Sequence, residues 1–303
     1  MGGFCPVQKM QLTVYAPAKI NLVLEVLSDL NNHHQISSIV QAINLCDILN
    51  FQVSEEMSFK CSEAKIESGN LVIKAAELLR EVTKSHRGAQ IELCKRIPFG
   101  VGLGGGSSDA AATFFALNEL WELKLSLSEL VWLASKLGSD VPFFIYKGTA
   151  LVEGIGEKVT PLPSLEPVWF VLLVPPLSKI PSKTAQLYNK LTPSHFTKGQ
   201  FVHAALPSLF RGKMIAPSLV FNVFEKVVIG AFPNLVKYKG IFEEAGAPSV
   251  HLAGSGPTLF TFFFEEEKAN ELRLRLREQG LECYVASSLP GTESLSLEGR
   301  GLR

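Results

Sequence analysis

Apolar and polar positions along the chain follow two periods, that of β-strands and that of α-helices. The strand period, together with β-branched and aromatic residues, predicts strands at 12–15, 20–26, 36–45, 48–53, 58–61, 89–94, 143–146, 149–153, 158–160, 169–174, 250–252, 258–264 and 282–286. The helical period predicts helices at 70–82, 107–121, 126–137, 183–191, 221–228, 235–245 and 265–279. The closing order of strand, turn, strand, helix and strand is that of a split βαβ unit. The pattern therefore predicts a mixed α+β fold and not a doubly wound sheet.

The chain length and one proline cluster predict two domains. A chain of 303 residues has room for two, and prolines at 161, 163 and 167 mark a boundary. We place the first domain at residues 10–161 and the second at residues 162–288. The last residues, 289–303, lie in a stretch that is poor in apolar side chains and contains one proline and three glycines. We expect this tail to be disordered.

The most informative segment lies between the predicted strand 89–94 and the predicted helix 107–121. Five glycines fall within the seven residues 100–106, and two serines follow. Glycine has no Cβ, so backbone amides can approach a ligand closely, and a helix N-terminus directs free N–H groups and positive charge toward the loop. A flexible turn would need only one or two glycines. The segment therefore predicts an anion site, and phosphate is the anion most often bound in this way.

Different kinds of phosphate-binding loop compete for this segment. A Walker-type loop requires a lysine after the glycines, and this chain has none there. The dinucleotide fingerprint G-x-G-x-x-G is satisfied by Gly100 to Gly105, which would indicate an NAD-dependent oxidoreductase. That fingerprint directly follows a strand, whereas residues 95–98 intervene here, and the nearby acidic residues Glu119 and Glu122 lie at a helix end. The fingerprint is therefore a weak match, and the oxidoreductase stays an alternative.

Composition narrows the classes of partner. The chain has 29 Lys and Arg against 29 Asp and Glu and no long basic run, so we expect neither nucleic acid nor a membrane as partner. No secretory signal is visible, and no apolar run is long enough to span a bilayer. The five cysteines are widely spaced without a C-x-x-C pair, which predicts reduced thiols. We expect a cytoplasmic protein, or a stromal one in a plastid-bearing organism, that is a monomer or a weak homodimer.

Four short segments, in a fixed order, resemble a known family. They are PAKINL at 17–22, PFGVGLGGGSSDA at 98–110, LGSDVPFF at 137–144 and AGSGP at 253–257. Together they resemble the GHMP kinase superfamily, and within it the branch that phosphorylates a hydroxyl of 4-diphosphocytidyl-2-C-methyl-D-erythritol in the non-mevalonate isoprenoid pathway. The resemblance covers residues 12–286. It implies a two-domain GHMP kinase fold with a ferredoxin-like C-terminal domain, an active site in the cleft, ATP as phosphate donor and Mg²⁺.

The resemblance also implies catalytic roles that spacing alone does not. Taken alone, Lys19 would be a solvated lysine at a strand edge and Asp140 a turn residue that bonds its own backbone. Asp140 matches the family's catalytic aspartate, which polarises or deprotonates the acceptor hydroxyl. Lys19 matches the lysine that is the partner of this aspartate. A nearby ammonium would favour the ionised carboxylate and help to neutralise the charge that develops in transfer. Asn21 matches a residue that orients the acceptor.

The ATP site implied by the resemblance consists of the glycine loop and two side chains on the adenine side. Ser108 is the candidate magnesium ligand. The residues implied for ATP are Pro98, Gly100, Gly102, Leu103, Gly104, Gly105, Gly106, Ser107, Ser108, Asn70 and Lys95.

The implied cytidine pocket departs from the family. The family usually has Arg-x-Asp-Gly-Tyr-His where this chain has DLNNHH at 29–34. His34 matches the family's histidine that reads the cytosine edge. His33 stands where the family has a stacking tyrosine, and its ring is smaller. The implied substrate residues are Asn21, His33, His34, Thr184, Tyr188, Gly254, Ser255 and Gly256. A GHMP kinase of the homoserine or mevalonate type, and a relative that binds ATP without turnover, stay alternatives.

Overall fold

Two long strands, β1 (Gln11–Leu30) and β2 (His33–Ser54), pair antiparallel at the centre of the fold. The structure is a computed structural model that describes residues 11–30, 33–63, 69–178 and 180–291. The sequence predicted four shorter strands here, with a break at Pro17. The strands instead continue through a register shift between Pro17 and Ala18. Proline has no N–H to donate, and a bulge is where a strand tolerates that loss.

The first sheet is built around this hairpin and has seven strands. Its other members are β3 (Ser58–Cys61), β4 (Gly88–Cys94), β5 (Thr149–Gly154), β6 (Lys158–Leu162) and β8 (Phe221–Asn222). The order is β3-β4-β2-β1-β8, and β5 pairs with β2 and β6. Four helices pack on it: α1 (Leu71–Thr83), α2 (Gly105–Leu120), α3 (Leu127–Leu137) and α4 (Val141–Tyr146). Phe51, Phe114 and Phe144 are fully buried in the core between these helices and the sheet.

The second sheet has four antiparallel strands in the order β11-β7-β10-β9. These strands are β7 (Trp169–Val174), β9 (His251–Leu252), β10 (Leu259–Phe263) and β11 (Glu282–Ser287). The remaining helices are α5 (Lys183–Tyr188), α6 (Gln200–Leu209), α7 (Leu235–Glu244) and α8 (Glu266–Glu278). A second core, which includes Ile20, Leu22, Phe170 and Phe260, joins β1 to this sheet. The mixed α+β class predicted from the sequence is confirmed, and the two sheets share a buried face.

Several predicted elements are wrong in type or length. Residues 143–146 were predicted as a strand but belong to helix α4, because a short apolar run does not distinguish the two and Pro142 favours a first helical turn. Residues 221–228 were predicted as a helix. They form strand β8, a 3₁₀ turn at 223–226 and the first residue of another at 228–230. The Asn222 side chain accepts a hydrogen bond from the Phe224 N–H. Helix α5 ends three residues before the predicted 191.

Other predicted elements are confirmed. The capping box that Ser126 and Glu129 were predicted to form is present at the start of α3. The strands at 58–61, 169–174 and 282–286 and the helices at 235–245 and 265–279 also lie where the sequence predicted them, within one or two residues at each end.

The prediction of a disordered tail is wrong for residues 289–291. The Leu289 N–H donates to the Ala42 carbonyl at 2.9 Å, and its own carbonyl accepts from the Gln41 side chain at 2.9 Å. Gly291 pairs with Lys147 in an antiparallel bridge. Residues 292–303, the rest of that tail, lie outside the described residues. Within the described ranges, no helix has both the length and the apolar character that crossing a bilayer requires.

Candidate active site

The glycine loop leads from β4 to the N-terminus of α2. The helix begins at Gly105, two residues earlier than predicted, so the last two glycines and Ser107 form its first turn. Gly104 is the N-cap with φ +74°, and its carbonyl accepts the first helical bond from the Ser108 N–H at 3.0 Å. The first amides of a helix have no partner within the helix and carry the positive end of its dipole. This geometry is that of an anion site.

The glycine loop touches the second glycine-rich segment, residues 253–257. A Cβ added at Gly102, where φ is +96°, would overlap the carbonyl oxygen of Ala253. A Cβ added at Gly254 would lie 2.7 Å from the Gly102 carbonyl oxygen. The two glycine segments therefore approach each other more closely than residues with side chains allow.

Strand β1 holds the predicted catalytic lysine against the loop. The Lys19 N–H donates to the Leu103 carbonyl at 2.9 Å, and its ammonium donates to Asn21 Oδ1 at 2.7 Å. The Asn21 amide in turn donates to Ser38 Oγ at 2.9 Å, so a chain of hydrogen bonds fixes the position of the ammonium.

Asp140 approaches the same ammonium from the start of α4. Its Oδ2 lies 3.9 Å from Lys19 Nζ, and its side chain is 54% exposed, whereas that of Lys19 is 9% exposed. The structure thus brings Lys19, Asn21 and Asp140 together, as the sequence predicted, and Asp140 is the member most open to solvent.

These side chains line a cavity of about 580 Å³ between the two sheets. The volume lies in the range of pockets that hold small organic ligands. The lining residues come from the glycine loop, β1, α4, α5 and the second glycine segment, and include Lys19, Asn21, Asp140, Lys183, Tyr188 and Ser255.

The rings of Tyr188 and Phe224 line one end of this cavity. His34 and Tyr188 stack with ring centroids 4.7 Å apart, and Phe224 meets Tyr188 edge to face at 4.9 Å. Burial, and then the charge of Asp140, raise the pKa of Tyr188, so its phenol is a neutral hydrogen-bond donor. A base that stacks on Tyr188 must displace His34 or stack beyond it. The side chain of His33, the predicted second stacking group, lies outside the described residues.

Thr184 and Ser255 connect helix α5 to the second glycine segment. Their hydroxyl oxygens lie 2.8 Å apart within hydrogen-bonding distance. The Asn222 side-chain amide donates to the carbonyls of Leu252 and Gly254, at 2.9 and 2.8 Å, and fixes the entry to that segment. The predicted substrate residues Thr184, Gly254 and Ser255 therefore face the cavity from one side.

The comparisons with known proteins agree with the geometry. The GHMP kinases N terminal domain family matches residues 70–148, and the GHMP kinases C terminal family matches residues 207–281. A 4-diphosphocytidyl-2-C-methyl-D-erythritol kinase from Dehalococcoides mccartyi is 45% identical over 280 residues, which is 92% of this chain and 98% of that relative. The chain belongs to this kinase family.

A further relative and one solved structure support the same family, and a second solved structure has the same fold. A 4-diphosphocytidyl-2-C-methyl-D-erythritol kinase from Pelobacter propionicus is 38% identical over 92% of this chain and 99% of that relative. A crystal structure of a 4-(cytidine 5'-diphospho)-2C-methyl-D-erythritol kinase superposes with a TM-score of 0.78 at 31% identity, covering 91% of this chain and 99% of that one. Homoserine kinase from Cytophaga hutchinsonii, at a TM-score of 0.70 and 18% identity over 96% of this chain and 98% of that one, shares the fold.

Two residues predicted on the adenine side of this kinase do not line the main cavity. The Asn70 side chain caps α1 by accepting from the Val72 N–H at 3.0 Å. The Lys95 ammonium donates to Asp47 and, at 2.8 Å, to Asp109, and its side chain is only 5% exposed. Burial alone would lower the pKa of Lys95, but the charges of Asp109 and Asp47 outweigh it and raise that pKa. An adenine contact from these two residues stays a prediction.

The sequence did not reveal the carboxylates that hold Lys95. Asp47 also accepts from the N–H groups of Arg96 and Ile97, so it fixes the chain that leads into the glycine loop. Burial raises the pKa of Asp109 to about 7, with Lys95 opposing that rise and Asp47 adding to it. These contacts join residues 14 to 50 positions apart, which no local pattern indicates.

The sequence also missed Lys183. It is the first residue of α5, and its ammonium donates to the carbonyls of Gly100, at 2.9 Å, and Gly256. Its neighbour Thr184 was singled out through the resemblance, but nothing in the spacing indicated the lysine.

The floor of the loop has oxygen atoms that suit a metal–phosphate group. Ser108 Oγ and Asp109 Oδ1 are buried and have no hydrogen-bond partner among the residues that the structure describes. No cluster of three or more His, Cys, Asp or Glu residues suited to a metal lies in the described ranges. Magnesium needs few protein ligands where phosphates and water supply the others. The free hydroxyl of Ser108 therefore fits the role predicted for it.

Proposed function

We propose that this protein transfers the γ-phosphoryl group of ATP to a hydroxyl of 4-diphosphocytidyl-2-C-methyl-D-erythritol, a step in the non-mevalonate route to isoprenoid precursors. The observation that carries the proposal is the placement of Asp140 and Lys19, 3.9 Å apart, in a cavity that also reaches the glycine loop. The names of relatives that span nearly the whole chain give the acceptor.

Asp140 is the group that accepts the proton of the acceptor hydroxyl. The hydroxyl oxygen forms a bond to the γ-phosphorus, the bond from that phosphorus to the bridging oxygen breaks, and ADP leaves with the electron pair. The proton passes to Oδ1 or Oδ2 of Asp140, whose exposure leaves room for a substrate hydroxyl beside it. General bases of this kind contribute about 10² to 10⁴ in rate.

Lys19 and the first turn of α2 stabilise the charge that develops on the transferred group. The Lys19 ammonium is held by Asn21, so it is oriented before the substrate arrives. The amides of residues 105–107 have no helical partner and are free to bind phosphate oxygens. Such preorganised donors supply most of the catalysis in phosphoryl transfer. Mg²⁺, held by the ATP phosphates and Ser108, would neutralise phosphate charge when bound.

The cytidine end of the acceptor belongs at the aromatic end of the cavity. Tyr188 offers a ring face there once His34 moves off it, and His34 offers a ring with two nitrogens that can read a base edge. Thr184, Ser255 and the backbone of 254–256 lie between this end and Lys19, where the diphosphate and the sugar alcohol would bind.

The test is ADP release with Mg²⁺ and ATP, offering the cytidyl compound, homoserine and mevalonate in parallel. Turnover with the cytidyl compound alone, abolished in Asp140→Asn, is the expected result. Turnover with homoserine or mevalonate would replace the proposed acceptor. ATP binding without turnover of any acceptor would mean that the protein is a nucleotide-binding relative without kinase activity. NADH binding in place of ATP would favour the alternative of an NAD-dependent oxidoreductase.

A further inference from the structure

Lys183 bridges the two glycine segments. Its side chain reaches from the start of α5, residue 183 is buried, and its ammonium donates to one carbonyl of each segment, Gly100 and Gly256. An ammonium has three N–H donors and no acceptor, so one donor is left after these two bonds. Lys183 also lines the main cavity.

The charge of Lys183 has no counter-ion within the part of the chain that the structure describes. No carboxylate there forms an ion pair with it, and the charged group that acts on it most is another cation, Lys19. A buried charge without a partner is unfavourable, and buried cations are normally paired. Lys19 has Asp140 at 3.9 Å, so the two ammonium groups that line the cavity share one carboxylate, and the excess positive charge favours an anion beside them.

We propose that Lys183 is a second cleft cation that binds a phosphate oxygen of a nucleotide ligand, with the Gly100 and Gly256 carbonyls holding its ammonium in place. The inference rests on the proposed phosphoryl transfer. Both substrates carry phosphates, because ATP is a triphosphate and the acceptor is a cytidine diphosphate derivative. Gly100 belongs to the loop proposed for ATP, and Gly256 belongs to the segment proposed for the acceptor.

Three variants separate the charge of Lys183 from its bonds to the two carbonyls. Lys183→Met keeps the length and removes charge and donors, Lys183→Gln keeps donors without charge, and Lys183→Arg keeps both. The ligands are ADP, adenosine, CDP and cytidine, each titrated by calorimetry with Mg²⁺ present. The nucleosides lack phosphate, so they report any general damage to the cleft.

Lys183→Met and Lys183→Gln should weaken the binding of ADP or CDP by about 10- to 100-fold, the range for hydrogen bonds to charged groups. The affinities of the nucleosides should stay within about threefold of the wild type. Lys183→Arg should recover most of the loss. A selective loss with ADP assigns Lys183 to the donor phosphates, and one with CDP assigns it to the acceptor.

Equal losses for nucleotides and nucleosides, or full recovery in Lys183→Gln, would overturn the proposal and leave Lys183 as a structural bridge. If Lys183→Met does not fold, as judged by circular dichroism, Lys183→Gln carries the test. Wild-type turnover is measured separately. If the wild type binds ADP and CDP but phosphorylates no acceptor, the proposed function fails while the test of Lys183 stands.

Discussion

Lysines lie on two sides of the glycine loop in opposite electrostatic surroundings. Behind the first turn of α2, Lys95 is enclosed with two carboxylates, Asp47 and Asp109, and its side chain is 5% exposed. Facing the cleft, Lys19 has one carboxylate at 3.9 Å and Lys183 has only carbonyl oxygens. Both sides are close to the loop, since a Cβ on Gly105 would lie 3.1 Å from Lys95 Nζ and one on Gly104 would lie 3.0 Å from Lys19 Cγ.

The difference separates a structural charge cluster from a binding site. Behind the loop, each charge has its partner within the protein, so removing one partner leaves a buried charge and should destabilise the fold. In the cleft, positive charge exceeds what nearby carboxylates neutralise, so the missing partner is a ligand. The burial of a lysine does not by itself distinguish a structural cation from a ligand-binding one, because Lys183 and Lys95 are both buried or nearly so.

The largest expected effect on the cleft side comes from Asp140→Asn. The amide cannot accept the proton, so kcat should fall about a thousandfold, within the range that general bases supply. ADP affinity should stay within about threefold, since the proposed role of the carboxylate is toward the acceptor hydroxyl. The matched control is Glu122→Gln, an exposed carboxylate at the end of α2. A kcat near that of the wild type would remove Asp140 as the base.

Behind the loop, Lys95→Met should act on stability. It leaves Asp47 and Asp109 buried without their cation, so the free energy of unfolding should fall by about 3–5 kcal/mol. Urea denaturation followed by circular dichroism measures it, with Lys74→Met on the exposed face of α1 as control. A loss below about 1 kcal/mol would show that the cluster is not a structural one.

Gly102→Ala tests the close approach of the two glycine segments, and Gly100→Ala is its matched control. Both positions have positive φ, at +96° and +77°, but a Cβ at Gly102 would overlap the Ala253 carbonyl whereas one at Gly100 meets nothing within 4 Å. Both variants should carry backbone strain of about 1–3 kcal/mol. Only Gly102→Ala should also lose tenfold or more in kcat/KM for ATP. Equal kcat/KM values in the two variants would contradict the importance of that contact.

The smallest expected effect is a pH dependence that Lys183 gives to nucleotide binding. Burial, and then the charge of Lys19, lower the pKa of Lys183 to about 8. An anion binds the protonated form better, so affinity for the nucleotide that Lys183 contacts, ADP or CDP, should be highest below pH 8 and fall by up to about tenfold as the pH rises to 9. Tyr188 stays neutral in this range because its pKa is raised.

Titrations of ADP and of CDP between pH 7 and 9.5 measure this fall. Lys183→Arg should be flat over that range, since arginine stays charged. The same slope in both proteins would assign the titration to another group.

The sequence indicates short motifs better than long-range contacts, and the roles of the residues in those motifs stay predictions. The glycine loop, Lys19 and Asp140 were singled out because each lies in a short segment whose residue order is informative. Asp47 and Lys183 were not, because their bonds join residues 48 and 83 positions apart and depend on how the two sheets pack. Helix α4 was predicted as a strand because four apolar residues fit both elements.

Some predictions from the sequence are not decided by the fold. The domain boundary at residue 162, the oligomeric state and the cytoplasmic location stay predictions. The boundary is the most instructive of these, because β8 at residues 221–222 joins the first sheet and the shared core contains residues from both sides of it.

The segment Ser288 to Gly291, which follows β11, has a mechanical consequence. It is fastened to the first sheet through Ile43 and to the residues after α4 through Lys147, while β8 is fastened to β1 at residues 23 and 24. A body attached at two separate places can rotate only about the line that joins them, so other hinge motions are opposed. These attachments therefore restrain changes in the width of the cleft.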